Sequence, residues 1–125
     1  MLTRLSIRDV VLIDKLDLGF ETGIVTLTGE TGAGKSILLD ALGLALGARS
    51  DAGALRAGAT QASVSAAFDL PPAHPARQLA REHGIDSEGE FILRRVVAAD
   101  GRSRGFVNDQ PGSVGLLRQI GRAHV

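Results

Sequence analysis

One octapeptide constrains this chain more than any other feature, because it fits G-x-x-x-x-G-K-[ST] at every fixed position. The octapeptide reads Gly29-Glu30-Thr31-Gly32-Ala33-Gly34-Lys35-Ser36. The β-branched, mostly apolar residues 24–28 precede it, and good helix formers follow from 35 to 46. A strand, a glycine-rich turn and a helix in this order make a phosphate-binding loop. The sequence therefore predicts an α/β fold of the P-loop NTPase class.

Each part of the octapeptide suits a polyanionic ligand. Its glycines allow successive N–H groups to point inward, and the following helix adds its positive N-terminal end. Lys35 is the candidate catalytic residue, because its ammonium group can bridge the β- and γ-phosphates. Ser36 is the candidate Mg²⁺ ligand. We expect ATP with Mg²⁺ as the bound cofactor, and we expect Glu30 to face solvent. The predicted cofactor-binding residues are Gly29, Glu30, Thr31, Gly32, Ala33, Gly34, Lys35 and Ser36.

No convincing acidic partner for the metal ion accompanies this loop in the sequence. Hydrolysis needs a carboxylate at the end of an apolar strand. Asp14 follows the apolar residues 10–13, but Lys15 comes next and the run precedes the loop. Asp69 ends an alternating segment, and Asp40 is expected on the surface of the helix. We therefore predict that the chain is incomplete as an ATPase, and whether it is an enzyme by itself stays open.

Composition excludes several other functions. Fourteen basic residues balance fourteen acidic ones, so no overall charge draws the chain to nucleic acid or to an anionic membrane. The absence of cysteine excludes disulfides and zinc knuckles, and the three histidines do not have metal-ligand spacing. No apolar run approaches the ~18 residues of a membrane span. We expect a cytoplasmic protein without a membrane partner.

The remaining segments predict an antiparallel β-subdomain beside the loop. Alternation indicates an antiparallel pair over 2–9 and 15–20 and a strand over 61–70. A hairpin is expected over 90–97 and 102–107 around Asp100-Gly101, with short helices over 76–83 and 113–120. The helix over 35–46 is apolar around most of its circumference, so we expect it to be buried between two layers.

Four arginines fall on the predicted hairpin. Their clustering favours a solvated β-ribbon, and the alternative is a cationic hairpin that touches phosphate. The four are Arg94, Arg95, Arg102 and Arg104.

The octapeptide with its flanks, residues 26–42, resembles the N-terminal region of the RecN family, and so does the segment Leu46-Gly47-Ala48-Arg49. Residues 93–97 and 100–104 are similar as well. The RecN proteins are bacterial double-strand-break repair proteins related to the SMC proteins. The resemblance implies that 1–119 is the N-terminal lobe of an incomplete ABC-type ATPase head. Residues 120–125 depart from the family pattern, and we interpret them as a non-native tail on a truncated chain.

The resemblance also implies partners. Two heads in a homodimer would sandwich ATP, and the full-length protein would contact DNA and associate with the nucleoid. Two alternatives stay open from the residues alone. One is another P-loop NTPase, such as a helicase, and the other is a nucleotide-binding fragment without turnover.

Overall fold

The computed structural model describes residues 2–10, 13–19, 32–49, 53, 55–85 and 88–123, with side chains of the first helix from residue 37 onward. A six-stranded antiparallel sheet has the order β2-β1-β3-β4-β5-β6. Three helices are described with it. The elements are β1 (Leu2–Val10), β2 (Ile13–Gly19), α1 (Gly32–Ala45), β3 (Gln61–Phe68), α2 (Pro75–Glu82), β4 (Phe91–Ala98), β5 (Ser103–Val107), β6 (Gln110–Gly112) and α3 (Val114–Arg122).

Period-two alternation places the strands as predicted. β1 pairs with β2 in antiparallel register, with Leu5 opposite Leu18 and Ile7 opposite Leu16. β1 also pairs with β3, so it lies inside the sheet while β2 forms an edge. The predicted antiparallel pair and the strand over 61–70 are confirmed within two residues. The strand predicted over 24–28 lies outside the described residues.

Two consecutive hairpins build the other half of the sheet. The predicted turn at Asp100-Gly101 is confirmed, because the Ala98 N–H donates to the Arg102 carbonyl and the Asp100 side chain accepts from the Arg102 N–H. A second hairpin joins β5 to β6 through Asn108 and Asp109, both with positive φ. Two successive positive φ angles match the twist of a two-residue hairpin. The sequence prediction omitted β6, which is only three residues long.

The hydrophobic core lies between one face of the sheet and the helices. Side chains from β1, β3 and β4 alternate into it, and each of α1 and α3 contributes an apolar stripe. The largest fully buried side chains are Phe68, Phe91, Ile7, Leu93, Leu117, Ile120, Val64, Val97 and Val107. No helix in the described part of the chain has the length and apolar character needed to cross a membrane.

One face of α1 is buried, whereas the sequence predicted burial nearly all round. Ala41, Leu44 and Ala45 pack against the sheet, but Leu39 is 57% exposed. The helix therefore has one covered side among the described residues. Its small residues at 41 and 45 stand one turn apart on that side, which allows the helix to approach the strands closely.

α1 ends in a Schellman motif. The N–H of Ala48 donates to the Gly43 carbonyl at 2.9 Å, and the N–H of Gly47 donates to the Leu44 carbonyl at 3.1 Å. Gly47 has φ of +89°, as the left-handed residue of this motif requires. A Cβ at position 47 would lie 2.5 Å from the backbone nitrogen of Arg118 in α3. The end of α1 therefore lies against α3 at a distance that only glycine permits.

Gly47→Ala tests this close approach, and Gly58→Ala is its matched control. Both glycines have a similar positive φ, but no atom lies within 4 Å of a Cβ built on Gly58. We expect Gly58→Ala to cost about 1 kcal/mol of unfolding free energy for the left-handed backbone. Gly47→Ala should cost about 2–4 kcal/mol, because overpacking adds to the same backbone term. Urea unfolding followed by circular dichroism measures both, and equal losses would contradict the packing argument.

Candidate nucleotide-binding site

The second half of the octapeptide forms the beginning of α1. The helix starts at Gly32, three residues earlier than predicted, so the backbone from Gly32 to Ser36 is helical. The first four N–H groups of any helix lack an acceptor within it. Here they belong to Gly32, Ala33, Gly34 and Lys35. These amides and the positive end of the helix dipole are the elements that bind phosphate in such loops.

The other predicted site atoms lie outside the described part of the structure. Gly29, Glu30 and Thr31 are not among the described residues, and neither are the side chains of Lys35 and Ser36. Their roles toward phosphate and Mg²⁺ therefore stay predictions. The structure instead shows how α1, the helix that presents half of the loop, is held on the sheet.

A buried guanidinium group holds the C-terminal end of α1. Arg95 lies on β4 and is 3% exposed. It donates to the Leu44 carbonyl at 3.1 Å and to the Ala48 carbonyl at 2.8 Å, and it reaches the Ser103 hydroxyl at 3.2 Å. Carbonyls at a helix end carry partial negative charge, so a cation stabilises them. Arg95 thus joins α1 to its own strand, β4, and to Ser103 of the neighbouring strand β5.

A second arginine adds to this end of the helix. Arg118 of α3 donates from Nε to the Gly47 carbonyl at 3.3 Å. Burial lowers the pKa of Arg95 from its ordinary value, and the charge of Arg118 lowers that pKa further. The guanidinium nevertheless remains protonated, because arginine is not deprotonated in proteins. Two cations therefore face the negative end of α1, while the motif amides form its positive end about 21 Å away along a 14-residue helix.

The prediction that Arg95 belongs to a solvated ribbon is wrong, because its side chain is buried. Phe91, Leu93, Arg95 and Val97 share one face of β4, and that face is buried. The alternation of the strand could have predicted this burial, since Arg95 falls in phase with the apolar residues. Arg94 has the opposite phase and is only partly buried, with its guanidinium 5.2 Å from the centre of the Phe106 ring.

The remaining candidates do not gather near α1 as a group. Asp14 on β2 has a side chain that is 75% exposed and lies 3.8 Å from Arg56. Asp40 is exposed on α1, as predicted. His74 caps α2, because its Nδ1 accepts from the Ala76 N–H at 3.0 Å. These positions have surface and capping roles in the structure.

Comparison with solved structures places this architecture among SMC ATPase heads. An SMC ATPase from a study of ATP-driven dimerization and DNA-stimulated activation superposes with a TM-score of 0.75 at 25% identity, over 98% of this chain and 78% of that chain. This likeness agrees with the predicted incomplete α/β head with an antiparallel β-subdomain. It favours the SMC head over the helicase alternative.

The chain belongs to the AAA domain family, whose model matches residues 4–102. Two DNA repair proteins named RecN are close in sequence. The protein from Halalkalibacterium halodurans is 43% identical over 126 residues, covering 100% of this chain. The protein from Haemophilus influenzae is 42% identical over 123 residues, covering 96% of this chain. The chain spans 22% of the length of each relative. The resemblance to RecN is thereby confirmed.

Arg95→Met tests the anchoring of α1, with Arg94→Met as the adjacent control. Removing the buried guanidinium leaves the Leu44 and Ala48 carbonyls without this donor, which should cost about 2–4 kcal/mol of unfolding free energy. Arg94→Met removes a partly exposed cation and should cost less than about 1 kcal/mol. Chemical denaturation measures both. Equal effects of the two substitutions would contradict an anchoring role for Arg95.

Proposed function

We propose that this chain binds MgATP through Gly29–Ser36, as the N-terminal part of an ATPase head that acts in repair of DNA double-strand breaks. The observation that carries the proposal is the start of α1 inside the octapeptide, at Gly32. The amides left free by the helix then coincide with those that the motif directs at phosphate. Membership in the AAA domain family and similarity to RecN proteins support the same function.

The side chains of the loop divide the work in this proposal. Lys35 places a point charge on the β- and γ-phosphates, and Ser36 offers an oxygen ligand to Mg²⁺. The metal ion supplies neutralisation of phosphate charge when bound. Gly29, Glu30, Thr31 and Ala33 contribute backbone, since an anion nest is built from N–H groups. The small Ala33 and the glycines leave room for the triphosphate to approach the chain.

A head-to-head homodimer completes the site in the proposal. Two heads would enclose ATP between the loop of one and a surface of the other, with the full-length protein contacting DNA. The similar SMC ATPase comes from a study of ATP-driven dimerization, which supports this arrangement. In the sequence no apolar segment followed by a suitable acid is evident, so we expect the chain to bind nucleotide without turning it over.

Titration calorimetry with MgATP tests the binding site. The chain has two lysines, Lys35 in the loop and Lys15 on β2, so Lys15→Ala is a matched control for Lys35→Ala. A charge-assisted contact is worth about 1.5–3 kcal/mol, so Lys35→Ala should weaken binding about 10- to 100-fold. Lys15→Ala should bind as the parent chain does. Absence of binding heat with folded parent chain would refute the proposed site.

Phosphate release under multiple turnover tests the catalytic incompleteness separately. We expect the chain to show no hydrolysis above background at nucleotide concentrations that saturate the site. The physical reason is that binding charge alone does not position the attacking water. Turnover that disappears in Lys35→Ala would show instead that the chain carries a complete catalytic site.

A further inference from the structure

The face of the sheet opposite the helices carries a row of cations. Side chains alternate between the two faces of a strand, so residues out of phase with the core lie on the face opposite the helices. We call this set the outer sheet face, and it consists of Arg4, Ser6, Arg8, Lys15, Asp17, Ser63, Ser65, Ala67, Ile92, Arg94, Val96, Arg104 and Phe106.

A groove runs along the middle of this face. Its volume is about 330 Å³, and small residues of β1 and β3 form its floor. Ser6 lies directly opposite Ser65, so two hydroxyl groups meet at the centre of the floor. Longer charged side chains also line it, Arg4 and Arg8 from β1, Arg94 from β4 and the acidic Asp109 of the β5–β6 turn. The groove therefore presents three guanidinium groups and the serine hydroxyls, which can donate hydrogen bonds, against one carboxylate.

Charge is segregated onto this face although the whole chain is neutral. The outer sheet face has five cationic side chains, Arg4, Arg8, Lys15, Arg94 and Arg104, against the carboxylates of Asp17 on the face, Asp109 in the groove and Glu90 paired with Arg4. The whole chain has 14 basic and 14 acidic residues. Such segregation gives the face a positive potential that attracts anions.

The cations of this face are only partly neutralised by neighbouring carboxylates in the described structure. Arg8 lies directly opposite Lys15 on the neighbouring strand, and like charges at such positions repel. Arg8 pairs with Asp17 and Arg4 pairs with Glu90. Among the ion pairs of the described residues, none involves Lys15, Arg94 or Arg104. These three cations can therefore contact a ligand, Arg94 while its guanidinium lies over the Phe106 ring.

We propose that the outer sheet face binds the sugar-phosphate backbone of duplex DNA. Guanidinium groups contact phosphate in a bidentate manner, and serine hydroxyls donate to phosphate oxygens. The cations extend from β2 to β5, four strand spacings or about 19 Å. Each strand of duplex DNA carries one charge per about 3.4 Å, so the row can face about five phosphates. This contact would be independent of base sequence.

The aromatic content of the face favours duplex over single-stranded nucleic acid. Single strands are bound by stacking exposed bases on aromatic rings. Within the outer sheet face the aromatic residue is Phe106, and the guanidinium of Arg94 lies over its ring at 5.2 Å. The ring is therefore occupied by a protein cation. What the face offers is charge and hydroxyl groups, which suit a phosphate backbone.

The inference rests on the DNA contact of the proposed function, but the nucleotide site and this surface are separate. α1 packs on the inner face of the sheet, and the cations project from the outer one. A failure of MgATP binding would leave the DNA contact untouched. A variant that loses DNA binding should likewise keep the heat of MgATP binding, which distinguishes the two results.

Fluorescence anisotropy with a labelled, mixed-sequence DNA duplex tests the proposal in the absence of nucleotide. The variant Lys15→Gln/Arg94→Gln/Arg104→Gln removes three cations that make no ion pair in the described structure. Its matched control, Arg49→Gln/Arg81→Gln/Arg122→Gln, removes three exposed arginines from outside this face. We expect the first variant to bind about 10- to 100-fold more weakly at about 100 mM salt. We also expect its log–log salt slope to fall by about 2.7.

Asp17→Asn tests the same surface by an expected increase in affinity for the duplex, which a folding defect would not produce. Asp17 accepts from Arg8, so it competes with phosphate for that guanidinium. Its removal should tighten duplex binding about 3- to 10-fold and steepen the salt slope by about 0.9.

Three results would overturn the proposal. The first is equal affinity of the two triple variants for the duplex, and the second is unchanged or weaker binding by Asp17→Asn. The third is that polyglutamate binds as tightly as the duplex and that the first triple variant loses affinity for both to the same extent. That result would assign the face to an acidic protein partner.

Discussion

A buried charge at the end of one helix determines how this domain is arranged. Arg95 is surrounded by the core, yet its donors meet the carbonyls of Leu44 and Ala48 and the hydroxyl of Ser103. Placing a guanidinium there is costly unless every contact is good, and removing it would leave polar carbonyls unmatched. The contact fixes where α1 ends on the sheet. Because a helix is rigid over 14 residues, the same contact also sets where its N-terminal amides lie.

The two faces of the sheet carry different kinds of side chain. Residues in one phase of β1, β3 and β4 build an apolar layer under α1, and residues in the other phase carry serines and arginines. Neighbouring residues therefore serve opposite faces, as Arg94 and Arg95 show. A nucleotide site on the helical side and a DNA contact on the strand side would share one rigid body. The distance between bound nucleotide and bound DNA would then be fixed by the sheet and α1.

Local signals predicted much of this fold. Alternation located β1, β2 and β3, and Asp100-Gly101 located the turn between β4 and β5. The boundaries moved by a few residues, since helix and strand ends depend on caps and partners. β6 was omitted, because three residues contain too little periodicity to detect and the strand exists through pairing with β5. The clustered arginines belong to different faces of the sheet, which their proximity in the sequence does not reveal.

The sequence by itself predicted the phosphate-binding chemistry of the octapeptide, because a glycine-rich turn, a lysine and a serine at fixed spacing form a local motif. It also located most of the described strands and helices, since these follow from periodicity within a few residues. Only the tertiary structure decided that Arg95 caps α1, a contact between residues 51 positions apart. It likewise decided that cations from four strands line one face. Both features depend on strand order and register, which are set by long-range pairing and which no local pattern encodes.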